Sequence, residues 1–413
     1  MIFAKRGLCA NTITGGSMLL LFNGKIMTMS EKDYDNGYVL CDKDKIIAVG
    51  SDLKEVEGLL TSDVEKIDCH GGYVLPGLVD AHCHIGMWED AVGFEGDDGN
   101  ESTDPVTPQL RAIDAIYHAD RAFVEAYEGG VTSVVTGPGS ANVIGGQFAA
   151  LKTYGRCVDE MIIKQPVAMK VAFGENPKTI YNEKHQSPMT RMATAAILRE
   201  NLFKAKEYKE LWEDYWKNTE ELDKPDFDFK MEALVGVLKR EIPLKAHAHR
   251  ADDIITAIRI AREFNVDITL DHCTEGYLIK DILCEAGLPV IVGPMLTDRS
   301  KIELKNQNLK NPGILSKQGI KVAIMTDHPC VPVQHLCLCA AIAHKEGMEA
   351  REALKAITIN AAEITGIADR VGSLEKGKDA DIVIFDGNPL DLMTKVQRTI
   401  INGKTVYERV NND

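Results

Sequence analysis

His82 and His84 close an apolar run, Leu-Pro-Gly-Leu-Val-Asp-Ala-His-Cys-His over 75–84, and their spacing is the first chemistry the chain offers. Side chains two apart on an extended strand point the same way, so both imidazoles address one point beyond the strand's C-terminal end. Neutral imidazole suits a first-row divalent ion such as zinc, nickel or iron. An isolated His-x-His is as readily a pair of satisfied polar residues beside a core. His247, His272 and Asp327 change that balance, because each also follows directly on an apolar run. Five such residues in the order His-x-His, His, His, Asp read as a ligand series.

Further residues surround the series. His249 and Arg250 follow His247, and His249 alternates with it, which makes it a candidate for the metal or for a substrate carbonyl; Arg250 is a candidate on the substrate side. His328, next to Asp327, is placed beside the ligands, toward substrate, rather than among them. The loop 137–146 carries enough glycine for backbone N–H groups to approach an anion, and equally suits a plain tight loop. An acidic stretch (Glu89, Asp90, Glu95, Asp97, Asp98, Glu101, Asp104) reads as a solvated lid, with attraction of a cationic substrate as the alternative.

The elements that must position these groups form an α/β pattern. Apolar runs at 78–82, 132–136, 160–163, 167–173, 244–248, 267–271, 289–292 and 321–326 alternate with helical stretches, and eight strands suggest a closed parallel barrel. At 252–264 acidic residues open a helix with Ile254, Ile255, Ile258, Ala261 and Phe264 on one face, fit to cover a barrel wall. The polar segment 199–239 is expected to be an enlarged helical excursion between two strands. Short strands before 68, with Asn23-Gly24 as a hairpin turn, have a counterpart after 381. The two ends are expected to pair into a composite β-sandwich of 18–76 and 369–413, around a barrel of 77–368.

Composition sets limits. A length of 413 residues accommodates a large barrel with an appendage, and a formal charge of −15 disfavours nucleic acid as a partner. No apolar run is long enough to span a bilayer. Ten scattered cysteines without Cys-x-x-Cys spacing suit reduced thiols in a cytoplasm. Residues 1–17 lack a signal-peptide core and are expected to be a disordered extension before Met18.

At 74–84, at Asn360-Ala-Ala-Glu-Ile-Thr-Gly and at Gly372-Ser-Leu-Glu-Lys-Gly-Lys-Asp-Ala-Asp-Ile-Val, the chain resembles the amidohydrolase superfamily, nearest its imidazolonepropionase-like and dipeptidase-like branch. The resemblance implies a (β/α)8 TIM barrel with one or two divalent metals, zinc first, with iron, nickel or manganese as alternatives. It gives the metal His82, His84, His247, His272 and Asp327, with Asp327 also the catalytic base that passes a proton to the leaving nitrogen. In binuclear members a lysine near the end of the fourth strand carries a bridging carbamate. Lys170 matches, and burial would free its amine to react with carbon dioxide; Glu175 is the alternative carboxylate. The implied reaction is hydrolysis of a carbon–nitrogen bond in a small amide or cyclic amide, by a homo-oligomer. Deamination of a ring amidine, or a non-enzymatic binding role on the same barrel, are the competing readings.

Overall fold

The computed structural model describes residues 18–89 and 93–410; the extension expected at 1–17, and Asp90 of the acidic stretch, lie outside them. Alternating apolar residues after Met18 build β1 (Leu19–Ile26), β2 (Tyr34–Asp42), β3 (Lys45–Gly50), β4 (Glu65–Asp68) and β5 (Tyr73–Pro76). Asn23-Gly24 is not the predicted hairpin turn. Asn23 takes a left-handed φ of 56°, and the β1–β2 register shifts on either side of Gly24. The pair thus makes a bulge within one continuous strand.

Eight further strands form the barrel sheet: β6 (Leu78–Cys83), β7 (Val131–Thr136), β8 (Ile144–Lys152), β9 (Ile162–Ala172), β10 (Leu244–Ala248), β11 (Ile268–His272), β12 (Val290–Val292) and β13 (Val322–Ile324). They are hydrogen-bonded in that order. Just past β13 the Asp327 N–H donates to the His82 carbonyl at 3.1 Å, which brings the last strand's end against the first and nearly closes the sheet.

Two strand expectations are corrected. Residues 162–163 of the first run and 167–172 of the second belong to one strand, β9, while Glu160 and Met161 end a helical turn before it. Pro166 suggests a break because it has no N–H to give a ladder, and the strand absorbs it where the β8–β9 register shifts between Phe148↔Ala168 and Ala150↔Lys164. The eighth strand is β8, which begins inside the glycine-rich stretch. It runs antiparallel to both β7 and β9, as a short connection from β7 requires. The barrel is therefore not eight uniform strand–helix repeats.

Helices cover the outside as expected. Ala251–Phe264 buries Ile254, Ala257, Ile258 and Ala261, with Ile255 and Phe264 half-buried. The excursion resolves into Arg191–Lys217 and Phe229–Leu238.

The chain ends share one sheet. β14 (Ile382–Phe385) pairs antiparallel with β5, from Ile382↔Pro76 to Phe385↔Tyr73, and β15 (Val396–Ile401) and β16 (Lys404–Glu408) extend the sheet beyond it. A buried ion network ties this sheet to the barrel. Lys152, at the end of β8, pairs with Asp381 and with Asp379 at 2.8 Å, and Asp379 also takes Lys45 at 2.6 Å and Arg370 at 2.7 Å. Three cations around one buried carboxylate hold it ionised. Burial alone would raise the Asp379 pKa, but Lys152, Lys45 and Arg370 outweigh it and bring it down to about 2.

Candidate metal centre

The sequence-predicted ligands hang from the C-terminal edges of different barrel strands, where such folds gather their chemistry. His82 lies on β6 with His84 just beyond, Lys170 on β9, His247 on β10 with His249 beyond, His272 on β11, and Asp327 past β13. All seven side chains are buried. Six form two clusters, His82–His84–Asp327 and His247–His249–His272, each offering one ligand atom per residue within 4.8 Å of the others. The His82 and His272 rings, 5.6 Å apart between centroids, join the clusters.

Second partners orient the rings. His82 Nδ1 meets Asp271 Oδ2 at 2.5 Å, His84 Nδ1 meets the Gly137 carbonyl at 2.7 Å, and His272 Nδ1 meets the Gly293 carbonyl at 3.0 Å. A carbonyl or an ionised carboxylate can only accept, so in all three rings Nδ1 carries the proton and Nε2 keeps its lone pair. This is the arrangement that metal-ligating histidines adopt. His249 Nδ1 lies 2.7 Å from Thr274 Oγ1. His247 is buried with neither ring nitrogen hydrogen-bonded, and a buried polar atom without a partner is costly. These donors fit a divalent cation bound between them.

Charge follows the same logic. Burial, aided by the Lys170 charge, lowers the His82 pKa to about 4; burial also lowers His249 to about 4 and holds His247 and His272 well below the ordinary histidine range. All four imidazoles are thus neutral, as ligands must be. Asp327 Oδ1 lies 3.4 Å from His82 Nε2 and 3.3 Å from His84 Nε2, and with both nitrogens unprotonated the three lone-pair atoms converge on one point, as ligands around a cation do. His272 and Asp327 sit at left-handed φ values of 68° and 54°, a conformation that costs a residue with a Cβ about 1 kcal/mol or more. The fold sustains it at both positions where a side chain turns into the centre.

Lys170 Nζ lies 3.4 Å from His82 Nε2. Burial, reinforced by the neighbouring Lys245 charge and opposed by Asp271 and Asp327, lowers its pKa to about 8.

Sequence reasoning misses the residues behind these ligands. Asp271 accepts from Thr269 Oγ1 at 3.1 Å and pairs with Lys245 at 3.0 Å, while Lys245 also donates to the Ala81 carbonyl at 2.9 Å. Asp80 bonds the Thr326 hydroxyl next to Asp327, and burial pushes its pKa up to about 7. The available signal was a charged residue inside an apolar strand run, as in Leu-Lys-Ala-His-Ala and Ile-Thr-Leu-Asp-His. Glu303 carries no such signal. It stands in a polar loop, yet its fully buried carboxylate lies 3.7 Å from Nε2 of both His247 and His249.

A cavity of about 860 Å³ opens over the centre, lined by His84, His247, His249, His272, Asp327 and His328 among others. Glu175 lines it too, its carboxylate accepting from the Glu303 N–H at 3.3 Å. Arg250 is not brought in: its guanidinium makes a two-pronged pair with Asp252 at 2.9 and 2.8 Å. The glycine-rich loop does not cradle an anion with the N–H groups of Gly139 and Ala141, which donate to the Gly99 carbonyl and Asn100 Oδ1. Its role is to present the Gly137 carbonyl to His84, and a Cβ at Gly137 would lie 2.3 Å from the Phe148 ring. The acidic stretch divides: Glu89 and Asp97 line the cavity, whereas Asp104 pairs with Lys230 at 2.5 Å.

An eight-stranded barrel with two buried histidine clusters at its C-terminal edge defines a metal-dependent hydrolase class. The amidohydrolase family model matches residues 73–406, and the chain belongs to that family. The protein is a hydrolase of carbon–nitrogen bonds other than peptide bonds. A solved amidohydrolase from Thermotoga maritima MSB8 is 42% identical with a TM-score of 0.90, covering 95% of this chain and 100% of that one. The amidohydrolase tasK of Hapsidospora irregularis is 28% identical across 90% of this chain, which spans 40% of that protein's length. An imidazolonepropionase of Fusobacterium nucleatum is 25% identical over 95% of this chain and 99% of its own. No helix among the described residues is long and apolar enough to cross a membrane.

Proposed function

We propose that the chain hydrolyses the carbon–nitrogen bond of a small amide or cyclic amide at a two-ion centre. The observation that carries this reading is the set of three imidazoles, His82, His84 and His272, each locked with Nδ1 protonated and Nε2 left as a lone-pair donor, with Asp327 beside the first two. His82, His84 and Asp327 would hold one ion and His247 and His272 the other, with zinc the first choice among divalent metals for an imidazole-rich set. When bound, the ions supply Lewis acidity toward the carbonyl oxygen and lower the pKa of water. Lys170, buried and with its pKa lowered to about 8, keeps a fraction of neutral amine that would bond carbon dioxide and lose a proton, and the carbamate so formed would add an anionic ligand beside His82.

Asp327 takes one proton from the attacking water and returns it to the departing nitrogen, so its carboxylate ends as it began. Its place between His82 and His84, ionised, suits that shuttle. His249 and His328, both lining the cavity, orient the carbonyl; Arg250, turned onto Asp252, takes no part. A barrel unit of 77–368 with a smaller unit of 18–76 and 369–413 belongs to the same reading, supported by the β5–β14 pairing.

The test is turnover of a panel of N-acyl amino acids, dipeptides, lactams and ring amidines before and after metal removal. Metal-dependent cleavage of an amide or lactam supports the proposal. Ammonia release from ring amidines alone assigns the site to deamination instead.

A further inference from the structure

Lys301 lies between β12 and β13, and its ammonium is fixed from two sides. It donates to Asn176 Oδ1 at 2.7 Å and to Glu303 Oε1 at 3.3 Å. An ammonium has three N–H donors, so one remains. Asn176 is itself pinned, its amide donating to Ser140 Oγ at 2.6 Å. The helix after β9 and the segment after β12 therefore meet at this ammonium, with Ser140, from the loop after β7, one hydrogen bond behind Asn176, and Ser140, Asn176 and Lys301 all line the cavity above the histidines. Among the described residues that line it, Lys301 is the one lysine or arginine.

Glu303 sets the distance to the chemistry. Its Oε1 lies 3.3 Å from Lys301 Nζ and 3.7 Å from Nε2 of His247 and of His249, so one carboxylate oxygen is all that stands between the ammonium and these two imidazoles. Neutralising Glu303 does not fully account for Lys301. A lysine that served only a buried carboxylate would be buried with it; the Glu303 side chain is 0% exposed, whereas that of Lys301 keeps 33% of its surface, on the cavity wall.

We propose that Lys301, with Asn176 and Ser140 beside it, is an anion subsite that takes a substrate carboxylate. The substrate is then an amide or lactam with a single carboxylate a few bonds from the bond that breaks. This rests on the amide-hydrolysis reading and narrows its substrate class. Glu89, Asp97 and Glu175 line the same cavity and repel a second negative charge. A cation already held by Asn176 and Glu303 loses little freedom on binding, which favours a monoanion that fits without rearrangement.

The experiment uses matched pairs that differ only in the terminal group: N-acetyl amino acids against their carboxamides, and a lactam carboxylic acid against its amide. Hydrolysis is followed in the metal-loaded enzyme. Binding is followed by calorimetry in the metal-loaded Asp327→Asn protein, with and without Lys301→Met. The wild type is expected to favour the acids by about tenfold to a hundredfold in kcat/KM, the scale of one charge-assisted hydrogen bond. Lys301→Met erases that preference, chiefly through KM and binding, while the carboxamides lose much less, and Lys301→Arg restores part of it. Equal handling of acid and carboxamide by the wild type, or an equal loss of both in Lys301→Met, overturns the subsite. Should neither form of any pair be hydrolysed, the hydrolysis reading falls, and the calorimetry still decides the subsite: acid binding lost in Lys301→Met upholds it, acid binding unchanged overturns it.

Discussion

His82 and Asp271 stand 189 residues apart in the chain and meet at 2.5 Å, both fully buried, with Lys245 holding the same carboxylate oxygen at 3.0 Å. The carboxylate fixes which nitrogen of His82 is protonated, and Lys245 keeps the carboxylate charged. Metal affinity at the His82 cluster therefore depends on a residue that touches no metal. Asp271→Asn preserves shape but removes the charge, and is expected to weaken metal binding about 10–100-fold, the usual cost of losing a ligand's supporting partner. Competition against a chelator measures it, and wild-type affinity would show that His82 needs no such support.

Asp327 has a different role from the imidazoles. Asp327→Asn keeps an oxygen that can coordinate but cannot accept a proton, so metal content should largely survive while kcat falls about 10²–10⁴-fold. Metal analysis and steady-state kinetics on one preparation separate the two effects. A near-normal kcat would take Asp327 out of proton transfer.

Acid should destabilise the metal-depleted protein. His82 and His249 titrate at about 4 in the fold against an ordinary 6.5, so between those values the unfolded chain binds more protons, and stability falls as pH drops from 6.5 toward 4. His247 and His272, shifted the same way, add to the effect. Asp80, raised to about 7 from 3.8, and Asp253, raised by burial, work in the opposite sense, losing stability as pH rises, but with two protons against four. Urea midpoints across this range should rise with pH and level off above 6.5. A flat or inverted profile would mean that the imidazoles are not buried neutral.

The ion network between barrel and terminal sheet can be tested apart from catalysis. Lys152→Met leaves Asp379 and Asp381 without their buried cation, although Lys45 and Arg370 still reach Asp379. A loss of about 3 kcal/mol in unfolding free energy is expected, with metal content unchanged. No loss of stability would show that the two remaining cations suffice.

Much of this was legible in sequence because ligands at strand ends leave a local mark: an apolar run that stops at His or Asp. His82, His84, His247, His272 and Asp327 all carry it. β8 left none, since its Gly145-Gly146 start looks like loop and its return direction is set by the short connection from β7. Pro166 split β9 for a related reason: a residue that cannot join a ladder reads as an end unless the bulge that accommodates it is seen. Lys301 and Glu303 matter only through distance, being brought to the histidines by a loop without periodicity, and no spacing rule could place them. Arg250 shows the converse, a neighbour of a ligand in sequence whose side chain finds Asp252 first.

Metal content per chain tests the central claim most directly. Elemental analysis of the purified protein and of His84→Ala and His272→Ala, each paired with turnover before and after chelation, asks whether the buried histidine clusters hold the ions that hydrolysis needs. Two ions in the wild type are predicted, with one lost from each variant and hydrolysis abolished by chelation and restored by zinc. Full metal retention in both variants, or hydrolysis that survives complete metal removal, would contradict it.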